Sequence, residues 1–170
     1  MYATAAGMLE EFGANLLSRL ATPLPGAAVS ATLLELTINS GDRTSYTDAE
    51  IAAADAAAVV LAEVIGEAEQ VMNGYLGQRY TLPLAQATID GNPIASHCER
   101  VALYLLHRNT NRPESVKDDY KDAMGWLKDL ATGKARLLEP DNAGNSTATS
   151  AAFTYGTGGS TTDSLGLSGY

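Results

Sequence analysis

Thr47-Asp48-Ala49-Glu50-Ile51-Ala52-Ala53-Ala54-Asp55 opens the stretch whose reading decides the fold. Thr47 followed three residues later by Glu50 is a capping box, in which each side chain bonds the other residue's backbone N–H. Beyond it Ile51, Ala54, Ala58, Leu61, Val64, Ile65, Ala68, Val71, Met72 and Tyr75 recur at the spacing of a helix face. The pattern predicts one helix from Asp48 to Leu76, about 43 Å long at ~1.5 Å per residue. Few polar residues interrupt its first half, so Asp55 to Leu61 is expected to be buried on more than one side. Gly74 and Gly77 suit its end, and Pro83 then holds Leu82 away from the α region.

Downstream, Asp90-Gly91-Asn92 forms a turn and Pro93 suits a first helical position. Ile94, Cys98, Val101 and Leu105 give the apolar stripe of a second helix reaching about Arg108. Pro113-Glu114 starts a third, with Val116, Tyr120, Ala123, Leu127 and Leu130 as its stripe and Gly133 as its stop. Upstream, Thr4 caps a short helix over Ala5 to Phe12, ended by Gly13, and Ala14 to Leu20 makes another before Pro23 and Pro25. Val29 to Ile38 admits two readings: a helix capped by Ser30, or a strand in which Leu34, Leu36 and Ile38 alternate. The region around 23–46 is taken as a peripheral insertion. The expected fold is all-α: a small antiparallel bundle with one long helix, that insertion, and an extended C-terminal tail. Residues 1–140 form the helical domain and 141–170 an arm.

The chain has 170 residues, 45% apolar but only 6% aromatic, with a formal net charge of -9. That charge argues against a sequence-specific DNA binder, which carries a basic face. It suits a soluble protein, or one lining a space through which DNA slides without sticking. Cys98 is the single cysteine, so an internal disulfide or thiolate metal cluster is excluded and a reducing site of folding is the default. Met1-Tyr2-Ala3-Thr4 shows no signal peptide, and no apolar run approaches the ~20 residues of a membrane span. The arm is rich in Gly, Ser, Thr and Ala and has no lysine or arginine, a composition that stays disordered alone in water. It nevertheless carries Phe153, Tyr155, Leu165, Leu167 and Tyr170, which suit contacts with a neighbouring subunit or partner.

The usual catalytic constellations fail. Glu63 and Glu67 share a helix face but lack the Glu-x-x-His pairs of a carboxylate-bridged metal site, leaving a solvated acidic face. Cys98 falls on an apolar stripe, where a free cysteine behaves as a small hydrophobe, and His97 beside it points elsewhere. His97, Arg100, Tyr104 and Arg108 occupy the other face of their helix, where they suit an acidic partner surface better than a phosphate. Trp126 sits at the margin of its stripe, as core packing or as an interfacial anchor. Gly156-Thr157-Gly158-Gly159 has neither the strand, the helix nor the lysine of a phosphate loop. The expectation is a protein without catalysis, metal or cofactor.

Several segments resemble the Mu-like phage head–tail adaptor (neck) proteins. They are Met1-Tyr2-Ala3-Thr4 with Phe12-Gly13, Gly74-Tyr75-Leu76-Gly77-Gln78-Arg79-Tyr80-Thr81-Leu82-Pro83-Leu84, and Tyr104-Leu105-Leu106 with Arg108. Pro113-Glu114-Ser115-Val116, Tyr120-Lys121-Asp122-Ala123, Trp126-Leu127 and Leu130-Ala131-Thr132-Gly133-Lys134 add to the match. The resemblance implies a structural virion protein that forms a dodecameric ring below the portal and extends the DNA channel. Its partners would be itself, the portal protein and a downstream neck or tail-terminator protein, with DNA only as passing genome and no membrane. It would be assembled in the host cytoplasm and reside in the neck of the virion. Tyr75, Arg79, Tyr80, Leu82, Pro83, Leu84, Arg100, Tyr104 and Arg108 are the expected subunit or portal contacts. Whether Tyr75, Arg79 and Tyr80 face a sister subunit, the portal or their own core stays open at this level. The region from Pro23 to Tyr46 looks longer than the family's usual form. The competing reading is a helical regulatory or nucleic-acid-binding module using Arg100, Arg108, Lys117 and Lys121.

Overall fold

A computed structural model describes residues 1–22, 28–107 and 111–138, all within one compact unit, Met1–Pro140. Among the described residues there are seven α-helices and no strand, which is the all-α architecture that the periodicity predicts. Helix α1 (Ala5–Phe12) is capped by Thr4, whose hydroxyl accepts the Gly7 N–H at 3.0 Å. Gly13 ends it in the left-handed half of backbone space (φ 79°) and starts α2 (Ala14–Ala21) directly. Pro23, Pro25 and Arg108 lie outside the described residues, as does the whole C-terminal arm with Phe153, Tyr155, Leu165, Leu167 and Tyr170.

The ambiguous segment is a helix, α3 (Ala31–Ile38), whose Ser30 cap accepts the Leu33 N–H. Leu33 and Leu34 are both fully buried, a pair of neighbours that a strand would send to opposite faces. They join the main core against α2 and α4, so α3 contributes to the interior rather than lying over it.

Helix α4 (Asp48–Leu76) has the predicted bounds, and both bonds of its capping box form. It is the central element: α1, α2, α3, α6 and α7 all pack on it. Ala54, Ala57, Leu61, Val64, Ile65, Ala68, Met72 and Leu76 face that core. The expectation that Asp55 to Leu61 is buried on more than one side fails, because Asp55, Ala56 and Val59 are exposed. Alanine is an excellent helix former whether covered or bare, so a run of alanines carries little information about facing.

A short helix, α5 (Gln86–Asp90), stands where only a loop is legible in the sequence, and it buries Thr88 and Ile89. Helix α6 (Ile94–Leu106) buries Ile94, Cys98, Val101, Ala102, Leu103 and Leu106, a band wider than its predicted stripe because α4 and α7 both cover it. Leu105, expected in the stripe, is only half-buried. Helix α7 (Glu114–Thr132) buries Val116, Ala123, Leu127 and Leu130 and stops at Gly133 (φ 80°), a left-handed C-cap.

Candidate assembly surface

The chain beyond α4 turns on backbone geometry. A Cβ on Gly77 would sit 3.0 Å from the Asn73 carbonyl, so the helix closes tightly there, and the Tyr80 N–H returns to Leu76 O at 2.9 Å. This places Arg79 and Tyr80 beside the end of α7. The Arg79 guanidinium lies over Gly133, filling the space that a Cβ would need. A cation at a helix C-terminus is favourable, because the unsatisfied carbonyls there carry partial negative charge.

Tyr80 and Asn92 then hold the segment following α7. The Tyr80 hydroxyl accepts the Leu137 N–H at 3.0 Å. The Asn92 side-chain amide donates to Leu138 O and accepts from the Leu138 N–H, both at 2.9 Å. Leu137 is buried while Leu138 stands in solvent, 71% exposed. Of the residues expected at a partner surface, Tyr75, Tyr80, Leu82 and Leu84 are half-buried against their own core, whereas Arg79 and Pro83 are exposed. Tyr80 therefore serves its own fold, and the corner is a mixture of core edge and open surface.

Arg100 and Tyr104 lie on a face of α6 that α7 partly covers. Tyr104 stacks on Tyr120 with ring centroids 3.9 Å apart, and Arg112 lies over Tyr104 at 4.3 Å. The Arg112 Nε–H also donates to Tyr104 O at 3.1 Å, tying the loop before α7 to the end of α6. Deeper along the same seam His97 stacks on Trp126 at 4.3 Å, so half-buried Trp126 packs internally along one face. Burial, and then the nearby Arg100 charge, push the His97 imidazole below its ordinary value, with Asp122 opposing. Its Nδ1 is buried with no hydrogen-bond partner among the described residues.

Three contributors have no signature in the sequence. Tyr2 is buried and its hydroxyl donates to Asn73 Oδ1, while its N–H donates to Glu69. Glu99 is buried beside Gly7, and desolvation together with Glu11 and Glu10 raises its carboxyl. Arg112 precedes a proline in a loop, outside any periodic pattern. Cys98 is fully buried, and burial pushes its thiol up to about 12. Among the described residues no group of three or more His, Cys, Asp or Glu is placed to hold a metal ion, and no helix is long and apolar enough to cross a membrane.

The fold defines an all-α bundle built along one long helix, with a strap after α7 pinned to Tyr80 and Asn92. The chain belongs to the bacteriophage Mu Gp36 family, whose profile matches residues 2–155. It is 32% identical over 75 residues to the Mu-like prophage FluMu protein gp36 of Haemophilus influenzae, a match covering 44% of this chain and 50% of that protein. The chain thus spans about half the length of that relative. It is a protein of the Mu-like phages.

Proposed function

We propose that this chain is a structural virion protein that forms a ring below the portal, joins the filled head to the tail and extends the DNA channel. The observation that carries the reading is the family match over residues 2–155, which takes in the Gly74 to Leu84 segment that resembles neck adaptors. The corner built by that segment suits such a role, since internal bonds hold it while Arg79 and Pro83 remain open to a partner. Arginine and aromatic side chains are the types that dominate interface energetics. The role is positional rather than catalytic. Weak single contacts become collectively strong when they repeat around a ring, and the net charge of -9 discourages sticking of the passing genome.

The nucleic-acid reading loses support at two of its four residues. Lys117 pairs with Glu114 and Lys121 with Asp118, each at 2.9 Å, within their own helix. The test is the native mass of the purified full-length chain, alone and mixed with portal protein. A closed oligomer, or one formed on the portal, is expected. A chain that stays monomeric and ignores the portal overturns the reading.

A further inference from the structure

Three large apolar side chains stand exposed among the described residues: Met1, Val59 and Leu138. Met1 is the first residue of the chain, but the other two are held in place. Val59 lies midway along α4 and is 56% exposed, with Asp55 and Glu63 about one turn away on either side and also exposed. The Asp55 carboxylate is shared with Arg43, and the neighbouring Ala56 and Ala62 are too short to cover Val59. Leu138 is presented differently. Its N–H and C=O are both bonded to Asn92, and Tyr80 fixes Leu137 before it, so the side chain is displayed on an anchored backbone. Lys134, which lies 3.9 Å from the exposed Asp129 carboxylate, and Arg136 precede it, and both are exposed.

A single exposed apolar residue is ordinary. Here two are rigidly displayed, one among carboxylates and one among cations. The same division runs through the sequence: residues 1–76 hold ten acidic and two basic side chains, whereas residues 77–138 hold nine basic and seven acidic. Opposed potentials of this kind select and orient a partner. A twofold pairing of either patch with itself would set like charges face to face.

We propose that the Val59 face of α4 on one copy receives the Leu138 strap of a second copy, with Asp55 and Glu63 meeting the neighbour's Lys134 and Arg136. Because the two patches differ, the contact is heterologous. Each copy uses one patch on either side, and repetition closes into a ring when the rotation allows. The inference rests on the self-assembly proposed above and names the surfaces that perform it.

The test measures the solution mass of full-length variants, with thermal melting as the folding check. Val59→Asp and Leu138→Asp are each expected to stop assembly without lowering the melting temperature, since both side chains stand in solvent. Each variant keeps one good patch, so an equimolar mixture should yield a two-chain complex and nothing larger. Charge reversal gives an independent check. Glu63→Lys alone and Arg136→Glu alone should each weaken association roughly tenfold, and mixing them should restore large assemblies of alternating copies. If wild type assembles and these four variants assemble equally well, this inference fails and the ring reading stands. If wild type stays monomeric both alone and with portal, both fail.

Discussion

Gly133 meets two separate demands, and they can be measured apart. Its φ of 80° lies in the left-handed region, and the Arg79 guanidinium occupies the space where a side chain would begin. Gly133→Ala would force an ordinary L-residue into that conformation, at about 1 kcal/mol. The new methyl would also displace Arg79 from the carboxyl end of α7, losing roughly 0.3–1 kcal/mol of charge–dipole stabilisation. Together these amount to about 2 kcal/mol, which lowers the melting temperature by roughly 4–8 °C for a chain of this size. Asparagine tolerates the left-handed conformation, so Gly133→Asn should incur mainly the Arg79 displacement, about half the loss. In an Arg79→Ala background Gly133→Ala should cost only the backbone part, near 1 kcal/mol. Denaturant unfolding of the four variants, fitted with a common slope, gives these differences. The reasoning is refuted if Gly133→Asn is as harmful as Gly133→Ala, or if removing Arg79 leaves the cost of Gly133→Ala unchanged.

Two further expectations concern titratable groups between α4, α6 and α7. His97 is held neutral by burial and Arg100, so its contribution to stability is complete above the ordinary imidazole value of about 6.5 and is lost as pH falls through its lower folded value. Melting curves between about pH 7.5 and about pH 5.5 should show wild type losing more stability than His97→Phe, which keeps the stack on Trp126 without a titrating group; parallel curves would remove His97 as the cause. The Cys98 thiol, buried and raised to about 12, should resist alkylation near pH 8 in the native chain and react at once in denaturant. Rapid native labelling would mean that α6 opens far more readily than its packing implies.

Much of the helical framework is legible in the sequence because capping and periodicity are local. The Thr47 and Glu50 box, the Leu61 to Met72 stripe and the Gly133 stop each depend on residues a few positions apart, and each forms as read. Val29 to Ile38 is not decided locally. Its alternation and its Ser30 cap favour different structures, and burial of the adjacent Leu33 and Leu34 against α4 selects the helix. The exposed face at Asp55, Ala56 and Val59 is equally invisible, since alanine spacing is the same whether or not another helix lies above it.

The residues expected at a partner surface divide along the same line. Sequence reading gathers Tyr75 to Leu84 into one segment at a helix end, because that depends only on where α4 stops. It leaves open which of them turn inward. The structure gives Tyr80 to the Leu137 amide and Arg79 to the end of α7, contacts spanning more than fifty residues of chain. By itself the sequence determined helices α1, α2, α4, α6 and α7, their ends to within a residue or two, and the charge imbalance, all of which arise from neighbours along the chain. Only the tertiary structure decided that α3 belongs to the core, that α6 and α7 close over a stacked aromatic seam, and that Val59 and Leu138 stand uncovered. Exposure is a property of what packs against a residue, and that is fixed by contacts between distant parts of the chain.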